Sequence, residues 1–337
     1  MDIHSTAPAS LHIANLTTLQ LTVRQEDTLR LPAHSGSMLR GAFGVALRDL
    51  TCITALPECK DCPIKQFCTF PSIFETPALE SSNVQAVNPY VIHIPSIPQD
   101  QCRVYKKGDI WHFSMTLMGA AIHAQNIIIK AWKQALQTGL GTHQPYKRAT
   151  LLQVSSEDKP IYSHKDLPRI ANGHLPDPKS PISVITLPKP NTSLPIPLTM
   201  RFLTPFRYQQ DNRIISHPEQ LDSTTFIASL YNRIRLCQDN HSPDKAWDIG
   251  YDSYHQFKQD IVALKIDSDI RPNHVARRSN RQQRKMQLYG LQGDIHLTGD
   301  YPTLTRLLPA LQLGQYLHIG KSTTMGLGQY QLIFEKI

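Results

Sequence analysis

The sequence predicts an α+β protein made of two ferredoxin-like (RRM-like) domains in tandem, each with an antiparallel sheet, the first carrying a cysteine-rich insertion. Three observations lead there. Strand-type and helix-type apolar periodicities follow one another in the same order in both halves of the 337 residues, and consecutive units that mix antiparallel strands with two helices are the pattern of that fold. Prolines are dense between 168 and 205, which argues for extended connections there rather than helix. Four of the six cysteines crowd into residues 52–68. The expected domains are 1–190 and 195–337, and "LPKPNTSLPIP", residues 187–197, marks the boundary.

Residues 10–31 are rich in Leu, Ile, Thr and Val and read as an opening strand. In "HSGSMLRGAFGVALRDL" the residues Met38, Leu39, Ala42, Phe43, Ala46, Leu47 and Leu50 recur at helical spacing. Ser37 is the expected N-cap. Gly41 and Gly44 each cost a helix about 1 kcal/mol against alanine, so a neighbour is expected to pack very close to that face. Arg40 and Arg48 lie off the apolar stripe, near the glycine side. "DIWHFSMTLMG" alternates, with Trp111, Phe113, Met115 and Leu117 on one face and His112, Ser114 and Thr116 on the other. "AIHAQNIIIKAWKQALQTGL" reads as an amphipathic helix ending at Gly139, and residues 147–155 and 181–187 read as further strands.

The second half restarts in the same order. "LTMRFLTPFRY" reads as a strand and "HPEQLDSTTFIASLYNRIRLC" as a helix. "RKMQLYGLQGDIHLTGD" reads as two strands around Gly290 and Gly293. "TLTRLLPALQLG" is a helix, and "GQYQLIFEKI" a final strand. Such folds are common RNA platforms, but the aromatic signature of base stacking on the sheet is absent.

"GQYLHIGKSTTMGLGQY", residues 314–330, contains Gly-Lys-Ser-Thr. A nucleotide-binding P-loop needs four residues between its first glycine and the Gly-Lys pair. Here five residues, Gln315 to Ile319, separate Gly314 from Gly320, and no parallel-sheet core follows. Nucleotide hydrolysis is set aside. What remains is either a glycine-rich hairpin turn or a loop whose N–H groups approach an anion.

The balance of 35 basic against 27 acidic residues, with a pI near 9.1, favours a nucleic-acid partner. No apolar run is long enough to span a membrane, and "MDIHSTAPAS" has neither a basic start nor an apolar segment, so no export signal is expected. A cytoplasmic location follows as the expectation. In that setting a disulfide framework is not expected. Cys59-x-x-Cys62 has the spacing of a metal knuckle, and Cys52 and Cys68 could complete a tetrahedral site of four cysteines. Structural zinc is expected there ahead of an iron–sulfur cluster; free thiols are the alternative. The segment "RPNHVARRSNRQQRK", residues 271–285, carries Arg271, Arg277, Arg278, Arg281, Arg284 and Lys285 with no acid. It is either a solvated loop or an RNA contact, with arginine forks for phosphates and amides for base edges.

Together these pieces resemble the CRISPR precursor-RNA processing endoribonucleases of the repeat-associated mysterious protein superfamily. Three stretches carry the resemblance: "GSMLRGAFGVALRDL" with the cysteine cluster after it, "RSNRQQRKMQLYGLQGDIHLTGD", and "LGQYLHIGKSTTMGLGQY" as the family's C-terminal glycine-rich loop. With "RFLTPFRY" at 201–208 the likeness spans most of the C-terminal half. The resemblance implies binding of a repeat RNA hairpin and a cut near its 3′ side. It implies metal-independent attack by a 2′-hydroxyl that leaves a 2′,3′-cyclic phosphate. It makes Lys321 and the glycines an RNA-phosphate cradle, with Gly320, Ser322, Thr323, Gly326 and Gly328 as RNA contacts beside Arg40, Arg48 and the basic segment. His34, where the family often has a histidine, is the first candidate for proton transfer, with His318 second and Lys321 as the cation. No tyrosine is assigned. Other subunits of a CRISPR effector complex are further expected partners. Two alternatives stand beside this: a non-catalytic RNA-binding subunit of such a complex, and a DNA-binding protein stapled by metal.

Overall fold

The first unit is built on the alternating stretches. Its elements are β1 (Leu16–Gln25), β2 (Leu29–Pro32), α1 (Gly36–Thr51), α2 (Thr69–Phe74), β3 (Tyr90–His93), β4 (Cys102–Tyr105), β5 (Ile110–Met118), α3 (Ala120–His123), α4 (Gln125–Thr138), β6 (Ala149–Ser156) and β7 (Lys159–Ser163). The structure, a computed structural model, describes residues 15–77, 86–95, 102–141, 144–165, 185–187, 195–244, 247–279 and 284–334. β1 pairs antiparallel with both β5 and β6, and the sheet order is β3-β5-β1-β6-β7. One face buries Trp111, Phe113, Met115 and Leu117 under α1 and α4, where Phe43 stacks on Trp132 at 4.9 Å. Aromatic pairs of this kind add about 0.5–1.5 kcal/mol to what their area contributes.

The second unit comprises β8 (Ile196–Phe202), β9 (Gln209–Gln210), β10 (Arg213–Ile214), α5 (Ser223–His241), α6 (Tyr254–Val262), β11 (Lys265–Pro272), β12 (Val275–Ser279), β13 (Arg284–Leu288), β14 (Leu291–Gly299), α7 (Tyr301–Leu317) and β15 (Tyr330–Phe334). Its sheet order is β11-β14-β8-β15. In both units the first strand lies between the third and fourth, with the second at the edge, so the fold is a tandem of ferredoxin-like units. Helix starts in this unit are set by side chains: Asp222 accepts from Thr225 N–H at 3.2 Å and Asp300 from Thr303 N–H at 2.7 Å. The core is aromatic here too, with Phe206 and Phe226 rings 4.2 Å apart.

Several expectations are corrected. Helix α1 starts at Gly36 with Ser35 as N-cap, not Ser37, and Ser35 makes no side-chain cap bond. The helix expected before Gly139 is two helices, α3 and α4, joined at Ala124. Residues 185–187 form no strand; 181–184 and 188–194 lie outside the described residues, and with them most of the expected boundary. Helix α6 and strands β11 and β12 were not anticipated. The expectation of close packing at the α1 glycines holds at Gly44, where an added Cβ would lie 2.3 Å from the Phe74 ring.

The polar face of the first sheet is not left to solvent. Ser114 and Thr116 are buried, and Val91 and Met118 join the core of the second unit. No helix among the described residues is long and apolar enough to cross a membrane.

Candidate nucleic-acid interface

The glycine-rich loop runs from the end of α7 to β15 and lies in the seam between the units. Its glycines are demanded by the protein's own backbone. At Gly328 (φ 72°) a Cβ would stand 1.9 Å from Ile319 O, and at Gly320 (φ 89°) 2.4 Å from Arg207 O. Gly326 (φ 77°) lies against β3, its Cβ position 3.0 Å from Ile92 O. The head of α1 abuts the same loop, because a Cβ on Gly36 would clash with Met325 O. Thr204 ties the loop down by donating to Gly326 O at 2.7 Å and accepting from Gln329 N–H at 2.9 Å. Thr323 is buried and accepts from Arg233 at 2.9 Å.

The exposed part of the loop is Lys321, whose backbone N–H donates to Arg207 O at 2.8 Å. Ser322, half-buried and left-handed at φ 64°, accepts from Arg207 at 3.4 Å. Arg207 also donates to Tyr289 O at 3.1 Å. Two cations thus stand at this turn, and Arg207 was not anticipated from the sequence. A signal for it existed in "TPFRY", where the arginine stands two residues after Pro205, in the stretch that follows β8.

The basic segment becomes a two-stranded ribbon. β12 and β13 pair Arg277 with Met286, Arg278 with Lys285 and Ser279 with Arg284; Arg281 lies outside the described residues. The base of the ribbon packs on the glycine-rich loop, where Val275 and Leu288 bury against Leu327 and Met325. His34 meets the other side of this base. Its Nε2 is 3.4 Å from Asn273 Oδ1, while Asn273 donates to Gln292 at 2.6 Å and, through its backbone N–H, to Gly290 O at 2.9 Å. So the fold brings together the loop, the ribbon and His34, from sequence positions far apart.

Other candidates are elsewhere or differently engaged. Arg40 lies over the Phe74 ring at 4.0 Å and donates to Phe74 O at 3.4 Å. Arg48 donates to Leu56 O and to Pro57 O, holding the cysteine insertion on α1. His318 is fully buried. Its Nδ1 is 3.2 Å from Leu327 O and its Nε2 is 3.1 Å from His93 Nδ1, with the two rings edge to face. Burial pushes the His318 imidazole well below the usual histidine range, and the neighbouring His93 adds to this. Burial likewise takes His93 down to about 3. His318 sits at φ 56°, ψ 161°, a backbone region that costs a non-glycine residue about 1–3 kcal/mol.

The expected metal centre is not supported. The four cysteines border one pocket, and Thr54 Oγ1 lies 3.9 Å from Cys52 Sγ and 3.6 Å from Cys62 Sγ. Yet among the described residues no group of three or more His, Cys, Asp or Glu side chains is arranged to hold a metal ion. The thiol environments also diverge: burial pushes Cys59 up, while the Ala55 N–H holds Cys52 down. Zinc at this cluster is therefore without support among the described residues.

Comparison with known proteins agrees with the resemblance. Residues 200–330 match the family model of the CRISPR-associated endoribonuclease Cas6, and residues 13–175 match a model described as an N-terminal domain. No curated protein matches the chain. Among solved structures, a Cas6 product complex superposes with a TM-score of 0.50 at 15% identity, covering 94% of this chain and 100% of that one. A chain in a partial Cas6-RT-Cas1–Cas2 complex gives 0.52 at 13% identity, covering 95% of this chain and 46% of that one. At such identities these likenesses speak for the tandem fold.

Proposed function

We propose, from the match of residues 200–330 to the Cas6 endoribonucleases, that this chain binds CRISPR repeat RNA and cuts the precursor transcript into guide RNAs. The observation that supports the reading most directly is the convergence at one seam of the basic ribbon, the loop carrying Lys321 with Arg207, and His34 at the head of α1. Ribbon and loop offer cations to phosphates, a contact that is stronger than a neutral hydrogen bond.

The proposed cut needs no metal. A base takes the proton from a 2′-hydroxyl, O2′ bonds to the adjacent phosphorus, and the bond from phosphorus to O5′ breaks. An acid supplies the proton to O5′, leaving a 2′,3′-cyclic phosphate and a 5′-hydroxyl. Imidazole can fill either proton role near neutral pH, and His34 is the candidate. Lys321 is the cation proposed for the charge that builds on the phosphate. His318, with both ring nitrogens engaged and no exposure, is better suited to holding the loop than to meeting RNA.

That burial favours the second reading, a non-catalytic RNA-binding subunit, because it leaves a single proposed histidine at the seam. The neighbour built into a Cas1–Cas2 assembly makes other CRISPR proteins proposed partners under either reading. One experiment separates the two. Purified protein and a repeat transcript are incubated in EDTA. Processing by the chain gives multiple-turnover cleavage, a cyclic phosphate on the product, and an intact but bound substrate when the cut site carries 2′-deoxyribose. Tight binding without cleavage selects the non-catalytic subunit.

A further inference from the structure

We propose that His93 is a positioning residue for the glycine-rich loop, acting through His318 by a one-directional chain of hydrogen bonds that crosses from the first sheet to the loop. This rests on the reading of that loop as the part that meets RNA.

The direction of the chain follows from its last acceptor. A carbonyl oxygen cannot donate, so the hydrogen between His318 Nδ1 and Leu327 O belongs to the imidazole. A neutral ring carries one N–H, so His318 Nε2 accepts, and the donor facing it is His93 Nδ1–H. His93 Nε2 then accepts from the Thr116 hydroxyl at 2.7 Å. The Thr116 oxygen lies 3.0 Å from the Thr18 hydroxyl, its cross-strand partner between β1 and β5. With burial keeping both rings neutral, each carries its proton on Nδ1, which is not the form that free imidazole side chains favour.

Three features say that the chain has a task. His318 occupies a backbone conformation that glycine adopts without strain, in a loop already rich in glycine; a histidine persists there because its ring is held. The loop touches β3, the strand of His93, a second time at Gly326. And the groups around the pair leave no room for a charged ring. They are Thr18 and Thr116 from the first sheet, Leu327 O from the loop, and Arg233 from α5, which donates to Leu317 O at 3.0 Å. The charge that faces His318 from α5 is thus itself positive.

The test uses the whole chain with 15N-labelled histidine. Two neutral Nδ1–H imidazoles are expected, both unchanged between pH 7.5 and 5.5. A His318 ring carrying its proton on Nε2, or either ring titrating as a free histidine does, overturns the proposal. Hydrogen exchange of the amides of residues 320–328 is then compared in three variants. His93→Leu removes the donor. His318→Gly removes the ring while relieving the backbone. His93→Asn keeps an N–H at the Nδ1 position. Exchange is expected to speed up by about tenfold or more in the first two and to return towards the wild-type rate in the third, with repeat-RNA affinity following the same order. Unchanged loop exchange in both His93→Leu and His318→Gly overturns the proposal. If the wild type binds no repeat RNA, the proposed function fails, while the labelled histidines and the exchange rates still decide this inference.

Discussion

His34 and His318 have the same side chain and opposite surroundings. His34 is half-buried at the head of α1, beside Asn273; His318 is sealed. A proton-transfer group has to meet the substrate, and it acts mainly in the transition state. His34→Ala is therefore expected to slow cleavage by about 10²–10⁴-fold with RNA affinity nearly unchanged, as read by single-turnover kinetics beside a binding titration. A wild-type cleavage rate in that variant removes His34 from the chemistry. Lys321→Ala is expected to weaken both binding and rate, since a charge-assisted contact of about 1.5–3 kcal/mol goes with it.

At the scale of elements, the loop and the ribbon divide the work. The loop glycines are required by neighbouring backbone, so their substitution acts first on the fold. Gly328→Ala places a methyl at φ 72° and 1.9 Å from Ile319 O. The left-handed conformation alone costs about 1–2 kcal/mol, and the clash adds to it, so the denaturation midpoint is expected to fall by more than that equivalent. An unshifted midpoint shows that the loop relaxes without penalty. The ribbon acts through charge. Each phosphate contact contributes about 0.7–0.9 to the slope of log affinity against log salt. Replacing Arg277 and Arg278 by alanine is expected to flatten that slope and weaken binding to all repeat sequences alike. An identical slope returns the segment to a solvated ribbon.

Across the whole molecule, the seam between the units has a pH dependence. His93 and His318 are neutral in the folded protein because burial lowers both, whereas in the unfolded chain they titrate as ordinary histidines. The unfolded state then binds more protons below about pH 6.5. Their contribution to stability is complete above that pH and is lost as pH falls, for His93 over the window from 6.5 towards about 3. The slope is about 1.4 kcal/mol per pH unit for each group. Denaturant titrations at pH 7, 6 and 5 are expected to show the loss, and His93→Asn to reduce it. A flat profile means that the pair is not buried in solution.

Much of this architecture could be read from local pattern alone. The alternation in Ile110–Met118, the helical stripe of α1, and the repeated order of elements arise within one strand or one turn, and short-range geometry writes them directly into the chain. The same holds for the basic run and the glycine loop. Elements without such a pattern escaped. β11, "KIDSDIRP", is an edge strand with mostly exposed side chains, and α6 buries little beyond Phe257 and Ile261. What tertiary structure alone decided is which groups meet. His93 and His318 are 225 residues apart and His34 and Asn273 239 apart. Whether a histidine is a solvated base or a sealed strut depends on burial, and burial is a property of two docked surfaces. The sheet face bearing Thr116 reads as polar in sequence; it became an interior because the second unit covers it, and within β5 only Met118, an apolar residue on that face, points to this.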